Sequence, residues 1–421
     1  MWKTFSVCVL VSVGRVPAQE AGDPSNDQLA ERAVELLLQK SERYHPDRQV
    51  GRMSEKRLGA WQAKERERLE ELHEDAKGLG DEWPYEGVYR VGPDGRIPGG
   101  YRVGGTAIVV EGLLEYPGLR KHDGQLKAVR AAAAFIIRML DEDPSMAPGP
   151  KRGYDVRGWG HTYALSFLLR ALEHEVLEPE VANQAREAVE FLLNCLKVNE
   201  VEDGGWNYAS KTNASPFQTG ATLLVLYRTQ AAGFEVPRGL VARGLEALKR
   251  GRRQDTGAWS YSVRPGQRSH REKMHASSAR AAIAELALHH AGQSTSRDLR
   301  RAVDGFFDGW EHLLKRKSQQ GTHEGPYSIA PYYFYFGHGY VAHAIEALPE
   351  KQRPELREQL RKVLLMTRDE DGSWNDRIFP RTSGYCTAMV LMALRAPDLP
   401  RFPDWKAPKS EGEGLKKAGG R

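Results

Sequence analysis

Twelve polar residues near the starts of six apolar segments carry the best prospect of chemistry in this sequence. They are Arg102 and Thr106, His161 and Thr162, Gln218 and Thr219, His275 and Ser278, His338 and Tyr340, and Tyr385 and Cys386. If the segments are parallel helices around a hollow, their N-termini meet at one mouth. Free N–H groups and helix dipoles there favour an anion. Polar groups converging on a concavity form a ligand site. His338, Tyr340, Tyr385 and Cys386 are the candidates for catalysis, and Arg102, His161, Gln218, His275 and His338 those for ligand binding. Each also has a structural reading. His161 follows Gly160 and can cap its helix, His338 and His343 sit in or beside the aromatic run Tyr332 to Tyr340, and a buried cysteine such as Cys386 packs as a small hydrophobe.

Other chemistries have weaker support. His161, His275, His338 and Cys386 are suitable zinc ligands. No His-Glu-x-x-His or Cys-x-x-Cys spacing organises them, so neither metal nor cofactor is expected. Asp203, Glu324 and Asp371 head recurring turns, and paired carboxylates there would serve glycoside cleavage or uronate elimination. Aspartate at such turns usually caps the turn instead. A phosphate-binding P-loop, a Gly-x-Ser-x-Gly elbow and a Gly-Cys-Gly-Glu-Gln thioester are all absent.

The elements that would position these groups recur. Tyr154-Asp155-Val156-Arg157-Gly158-Trp159, Asp203-Gly204-Gly205-Trp206, Asp255-Thr256-Gly257-Ala258-Trp259 and Asp371-Gly372-Ser373-Trp374 resemble one another, with Glu324-Gly325-Pro326-Tyr327 as a degenerate member. A period near ~50 residues marks stacked supersecondary units. Glycines permit the tight reversals, and the tryptophans read as wedges between hairpins. Segments apolar on most faces are expected as buried helices over 103–116, 160–174, 217–232, 275–291, 336–348 and 382–395. Charged amphipathic helices are expected over 124–141, 180–198, 238–251, 296–316 and 354–367, with a sixth over 27–44 or 54–78. Six such hairpins bend into a closed ring, which removes the end faces an open solenoid must cap. The expected fold is an all-α (α/α)6 toroid.

Composition agrees with a globular chain. Of 421 residues, 28% are charged and 40% hydrophobic. A net charge of +5 is too small for an obligate nucleic-acid binder. Three cysteines exclude a disulfide scaffold and a four-cysteine zinc site, and Cys195 and Cys386 are expected as free buried thiols. No apolar run is long enough to span a membrane. Lys3, the apolar stretch Phe5 to Val13, and Val16-Pro17-Ala18 before Gln19 read as a leader over 1–18, so the chain is expected to be exported, periplasmic or extracellular. Residues 19–79 then form an N-terminal extension with the first outer helix, 80–396 the toroid, and 397–421 a flexible tail rich in Pro, Lys and Gly.

Helical hairpins joined by Asp-Gly-Gly-Trp-type turns, each leading into a Thr- and Ala-rich helix, resemble the prenyltransferase/squalene-cyclase repeat over roughly 80–396. The resemblance implies a toroid whose cavity accepts isoprenoids. The catalytic motifs of that superfamily are missing: Asp369-Glu370-Asp371 is not an Asp-x-Asp-Asp acid, and Tyr385-Cys386-Thr387-Ala388 has tyrosine where an acid would stand. Gly337-His338-Gly339-Tyr340 and Cys386 supply a histidine and a cysteine without the Asp-x-Cys zinc pair. The first functional expectation is therefore a cavity protein that binds or transforms an apolar, isoprenoid-like small molecule. The second is a scaffold with a filled core and a protein partner, and the third an enzyme resembling polysaccharide lyases and hydrolases.

Overall fold

A computed structural model describes residues 23–42, 44, 80–86, 97–119, 123–149, 156–209, 211–266, 268, 272–319, 323–377, 379 and 381–407. The leader over 1–18, the alternative helix over 54–78, the turn at Tyr154-Asp155 and the chain beyond 407 lie outside these residues.

The helices are α1 (Asn26–Gln39), α2 (Gly99–Leu114), α3 (Asp123–Glu142), α4 (Arg157–Glu173), α5 (Pro179–Val198), α6 (Pro216–Ala231) and α7 (Arg238–Gly251). They continue as α8 (Met274–His290), α9 (Ser296–Asp308), the short α10 (Trp310–Leu314), α11 (Phe334–Ala347), α12 (Arg353–Met366) and α13 (Thr382–Arg395). The described residues contain no β-strand, only isolated bridges such as Ala214 with Val263.

Buried and wet helices alternate because their sequences do. In α4 every residue from Arg157 to Ala171 is buried, whereas α5 buries one stripe that includes Ala185, Val189, Leu192 and Leu196. The buried helices pack side by side in the order α2, α4, α6, α8, α11, α13, and α13 returns to α2. The ring is closed, and the fold is an (α/α)6 toroid. Outer helices α3, α5, α7, α9 and α12 each follow their inner partner, and α1 covers α13. Arg395 pairs with Asp27 at 2.6 Å and Arg381 with Glu42 at 2.6 Å, so the two ends of the chain complete one another.

A repeated tryptophan joint links outer to inner helices. Trp206 donates its backbone N–H to Thr219 Oγ1 at 2.9 Å and its indole N–H to the Leu196 carbonyl at 2.8 Å. Trp374 repeats this with Thr387 (3.1 Å) and Leu364 (2.9 Å). So does Trp83 with Thr106 (2.8 Å) and Leu37 (2.8 Å), a joint that the turn pattern had not revealed. The glycines before Trp206 are required: Gly205 has φ +81°, and a Cβ there would stand 2.9 Å from Thr219 Oγ1. Trp206, Trp259 and Trp374 are all fully buried wedges.

Two segments differ from expectation. The helix expected over 296–316 divides at Gly309, where α8 approaches so closely that a Cβ would lie 2.7 Å from Ser278 Cβ. The stretch after Pro397 is not helical, yet it lies down as a strap across the C-terminal ends of the inner helices. The Trp405 N–H donates to the His290 carbonyl at 2.8 Å, Asp404 meets His290 at 2.9 Å, and the Phe402 ring sits 5.1 Å from that of His343. Two aromatic side chains anchor a segment whose Pro and Lys content had read as a tail.

Candidate functional site

Aromatic rings gather where the inner helices begin. Tyr85, from the segment before α2, lies 5.4 Å from Tyr101, 5.6 Å from Trp159 and 4.9 Å from Tyr385, centroid to centroid. Trp159 reaches Tyr163 at 5.3 Å, one turn further along α4. On the other side Phe217 of α6 meets Phe336 of α11 at 5.4 Å, and Phe336 stacks on Tyr340 at 4.8 Å. Gly104 makes room for this cluster, because a Cβ there would stand 2.3 Å from the Trp159 ring. Two hydroxyl chains run through the wall: Tyr208 to Tyr261 (2.7 Å) to Tyr332 (3.1 Å), and Tyr163 to Tyr340 (3.1 Å). The second joins α4 to α11, which face one another across the ring, so it crosses the axis of the toroid.

Most of the polar residues read as ligand groups face away from this axis. Arg102 forms a two-pronged ion pair with Glu82, both bonds 2.7 Å, and lies over Tyr44. His161 contacts the Met146 carbonyl at 2.8 Å and Asn199 at 3.2 Å. Gln218 donates to Thr162 at 2.8 Å between α4 and α6, and His275 lies beside His312 and Tyr327. His338 is fully buried between α11 and the outer helices: Trp310 donates to its Nε2 at 2.9 Å, and its Nδ1 meets the Phe334 carbonyl at 2.7 Å. Burial holds its pKa down at about 4, so the ring is neutral and both nitrogens are occupied. The geometric reason is common to all. A step of one or two residues along a helix turns a side chain by about 100° or 200°. Tyr101, Trp159, Phe217 and Phe336 therefore take the axial positions that Arg102, His161, Gln218 and His338 do not.

Tyr340 and Tyr385 do reach the axial region, whereas Cys386 turns toward the loop after Trp374, where the Asp376 backbone N–H is directed at its Sγ. Burial raises both phenols, and the Cys386 thiol as well. Cys386 and Cys195 are free and buried. His161, His275, His338 and Cys386 are not brought together, and the described residues hold no group of three metal-ligating side chains. The turn carboxylates face outward. Asp371 accepts from Ser373 at 2.8 Å and pairs with Lys40, while Glu324 pairs with Arg316.

The chemistry-bearing groups missed in the sequence are Asp376 and Arg377, two residues past the Trp374 joint. Asp376 is 0% exposed and Arg377 2%. Neither carboxyl oxygen of Asp376 and none of the three guanidinium nitrogens of Arg377 has a hydrogen-bond partner. The Arg377 guanidinium lies 5.9 Å from the Tyr332 ring centre and 5.7 Å from that of Phe379, and Tyr85 and Tyr101 are also close enough to influence its charge. Burial pushes the Asp376 carboxyl up to about 6, against the pull of Arg377. The Asp376 backbone N–H is directed at Cys386 Sγ at 3.4 Å. An acid that titrates near neutrality, beside an unpaired guanidinium and surrounded by aromatic rings, is equipped for proton transfer and for anion binding. The signal for it in the sequence was only Asp-Arg after a Trp turn.

Toward the opposite end of the ring a space of about 40 Å³ is lined by Glu111, Ser166, Arg228, Tyr340, His343 and Phe402. It can hold a few waters at most. Arg228 closes it by bonding Glu111 at 2.8 Å and Ser166 at 2.9 Å, and the strap covers it.

The ring of parallel inner helices and its axial aromatic cluster define an α/α toroid protein. Among solved structures, the GH76A α-1,6-mannanase from Salegentibacter sp. HEL1_6 is similar over 89% of this chain and 99% of that chain, at 11% identity and a TM-score of 0.51. The type II terpene cyclase MstE from Scytonema matches 89% of this chain and 100% of that chain, at 15% identity and a TM-score of 0.46. A possible member of the GH105 family from Salmonella enterica matches 93% and 99%, at 12% identity and a TM-score of 0.47. The likeness to the mannanase is one of fold. No protein-family model and no curated protein matches the chain.

Proposed function

We propose that the toroid binds an apolar, isoprenoid-like ligand among the rings at the N-terminal end of its lumen, and that Asp376 is the group able to exchange a proton with it. The observation that carries this reading is the convergence of Tyr85, Tyr101, Trp159, Tyr163 and Tyr385 around the axis, close to an unpartnered carboxyl. Ring faces bind apolar chains by contact and stabilise positive charge that develops on them. Several wall hydroxyls are already bonded to one another, which suits an apolar body better than a sugar. With its leader, such a protein would act outside the cytoplasm. A second reading, a scaffold with a filled core, draws on the Tyr163–Tyr340 bond across the axis.

Native mass spectrometry of protein purified gently from its own host tests occupancy, and a titration with farnesol followed by tryptophan fluorescence tests the class of ligand bound. The expected result is quenching that disappears in Trp159→Phe. A bare chain mass with no response to farnesol would favour the scaffold. A response to α-1,6-mannotetraose alone would favour a carbohydrate enzyme.

A further inference from the structure

The lumen carries one feature that an apolar ligand alone does not explain. A guanidinium keeps its charge at any ordinary pH, so burial cannot neutralise it as burial neutralises a carboxyl. Arg377 is nonetheless 2% exposed, and its Nε, Nη1 and Nη2 have no acceptor. Other buried arginines of the described residues are matched. Arg170 bonds Glu115 at 2.8 Å, and Arg280 bonds the carbonyls of Trp259 and Ser260 at 2.8 and 3.0 Å. The adjacent carboxyl of Asp376 forms no ion pair with Arg377, and its own oxygens are unpartnered. Tyr85 Oη stands close enough to the Arg377 guanidinium for the two to influence one another's charge, yet it makes no well-aligned hydrogen bond. An unpaired buried charge is among the costliest features a fold can hold. A planar, two-oxygen anion satisfies a guanidinium edge-on with paired hydrogen bonds, and Tyr85 and the protonated form of Asp376 can donate to the same anion.

We propose that Arg377 is the receptor for a carboxylate on the ligand, so that the lumen accepts an amphipathic organic acid whose anionic head lies against Arg377, Tyr85 and Asp376. The apolar body of that acid rests on the reading above, whereas the carboxylate site does not. Phe379 and Tyr332 flank the guanidinium and exclude water, which strengthens the charge-assisted bonds. Asp376 is then a selectivity group as well: ionised, it repels the incoming carboxylate, and protonated, it donates to it.

The test uses the full chain at pH 6 and pH 8, with farnesoic acid, farnesol and digalacturonate as probes, measured by calorimetry. Farnesoate is expected to bind roughly tenfold or more tightly than farnesol, as a charge-assisted pair implies. Arg377→Met should remove that preference, while Arg377→Lys should keep part of it. Binding at pH 6 should exceed that at pH 8, and Asp376→Asn should abolish the difference. Ligand-free Arg377→Met should melt no lower than the parent, because it removes an unpaired charge. Equal binding of farnesoate and farnesol, or a preference that survives Arg377→Met, overturns the carboxylate site and leaves the apolar lumen standing. Digalacturonate binding that depends on Arg377, without farnesoate binding, supports the carboxylate site and removes the apolar body. Failure of all three probes overturns both, and collapse of the fold in Arg377→Met and Arg377→Lys alike assigns Arg377 to structure and overturns its role as a receptor.

Discussion

Thr219 Oγ1 accepts the backbone N–H of Trp206 at 2.9 Å, thirteen residues before it, and donates back to the Trp206 carbonyl at 3.1 Å. One hydroxyl thus closes the turn that carries the chain from an outer helix to an inner one. Thr387 does the same for Trp374, at 3.1 and 3.4 Å. Thr219→Val and Thr387→Val keep the shape and leave a buried N–H without an acceptor. Each should cost about 1–3 kcal/mol, and the two should add, because the joints belong to different hairpins. Urea denaturation with an unchanged slope is the measurement, and sub-additive loss would mean that the joints are not independent.

Asp376 makes stability fall as pH rises. Its carboxyl titrates near 6 in the folded chain, above the ordinary value of 3.8, because burial disfavours the ionised form. The stabilising contribution of the protonated form is complete below about 4 and is lost as pH rises through about 6. Asp376→Asn should therefore stabilise the protein at pH 8, by about 3 kcal/mol at most, and leave it unchanged near pH 3.5. Thermal melts across that range check this, and a uniform destabilisation would contradict it.

Glu115 has the opposite sign. Burial pushes its carboxyl up, but hydrogen bonds from His174 and Arg170 outweigh burial and bring it down to about 2. Its contribution is present above the ordinary 4.5 and disappears as pH falls toward 2. Glu115→Gln should cost about 3 kcal/mol at pH 7, since Arg170 then keeps only Glu173 as a charged partner, and almost nothing at pH 2. The pH dependence of the urea midpoint distinguishes the two variants.

His338 should behave as a packing residue. Its ring accepts from Trp310 and is bonded to the Phe334 carbonyl. His338→Phe removes the acceptor for a buried indole and should lower stability by about 1–3 kcal/mol, while farnesol still quenches tryptophan fluorescence. Loss of binding without loss of stability would return His338 to the site.

The helix pattern was legible at the level of whole elements. Buried segments such as 217–232 and 382–395 carry few charges over four turns, and only an element covered on all sides tolerates that. The joints were legible where glycines precede the tryptophan, as at Trp206 and Trp374. Trp83, preceded by Asp81 and Glu82, lacked that marker. Trp159 matched the turn pattern but lies inside α4, one turn before Tyr163. Its ring joins the axial cluster instead of a joint.

Residue types and their periods were enough to determine an all-α ring with glycine and tryptophan turns, because those signals are local and repeat with the helix. Which side chains meet on the axis was decided only by tertiary structure. The rotation of each inner helix depends on its two neighbours, and an error of one residue turns a side chain away from the centre. That rotation places Trp159 inward and His161 outward on the same helix. It also buries Asp376 and Arg377 without partners, a condition no composition or spacing reveals, because it depends on what the rest of the ring leaves unpaired.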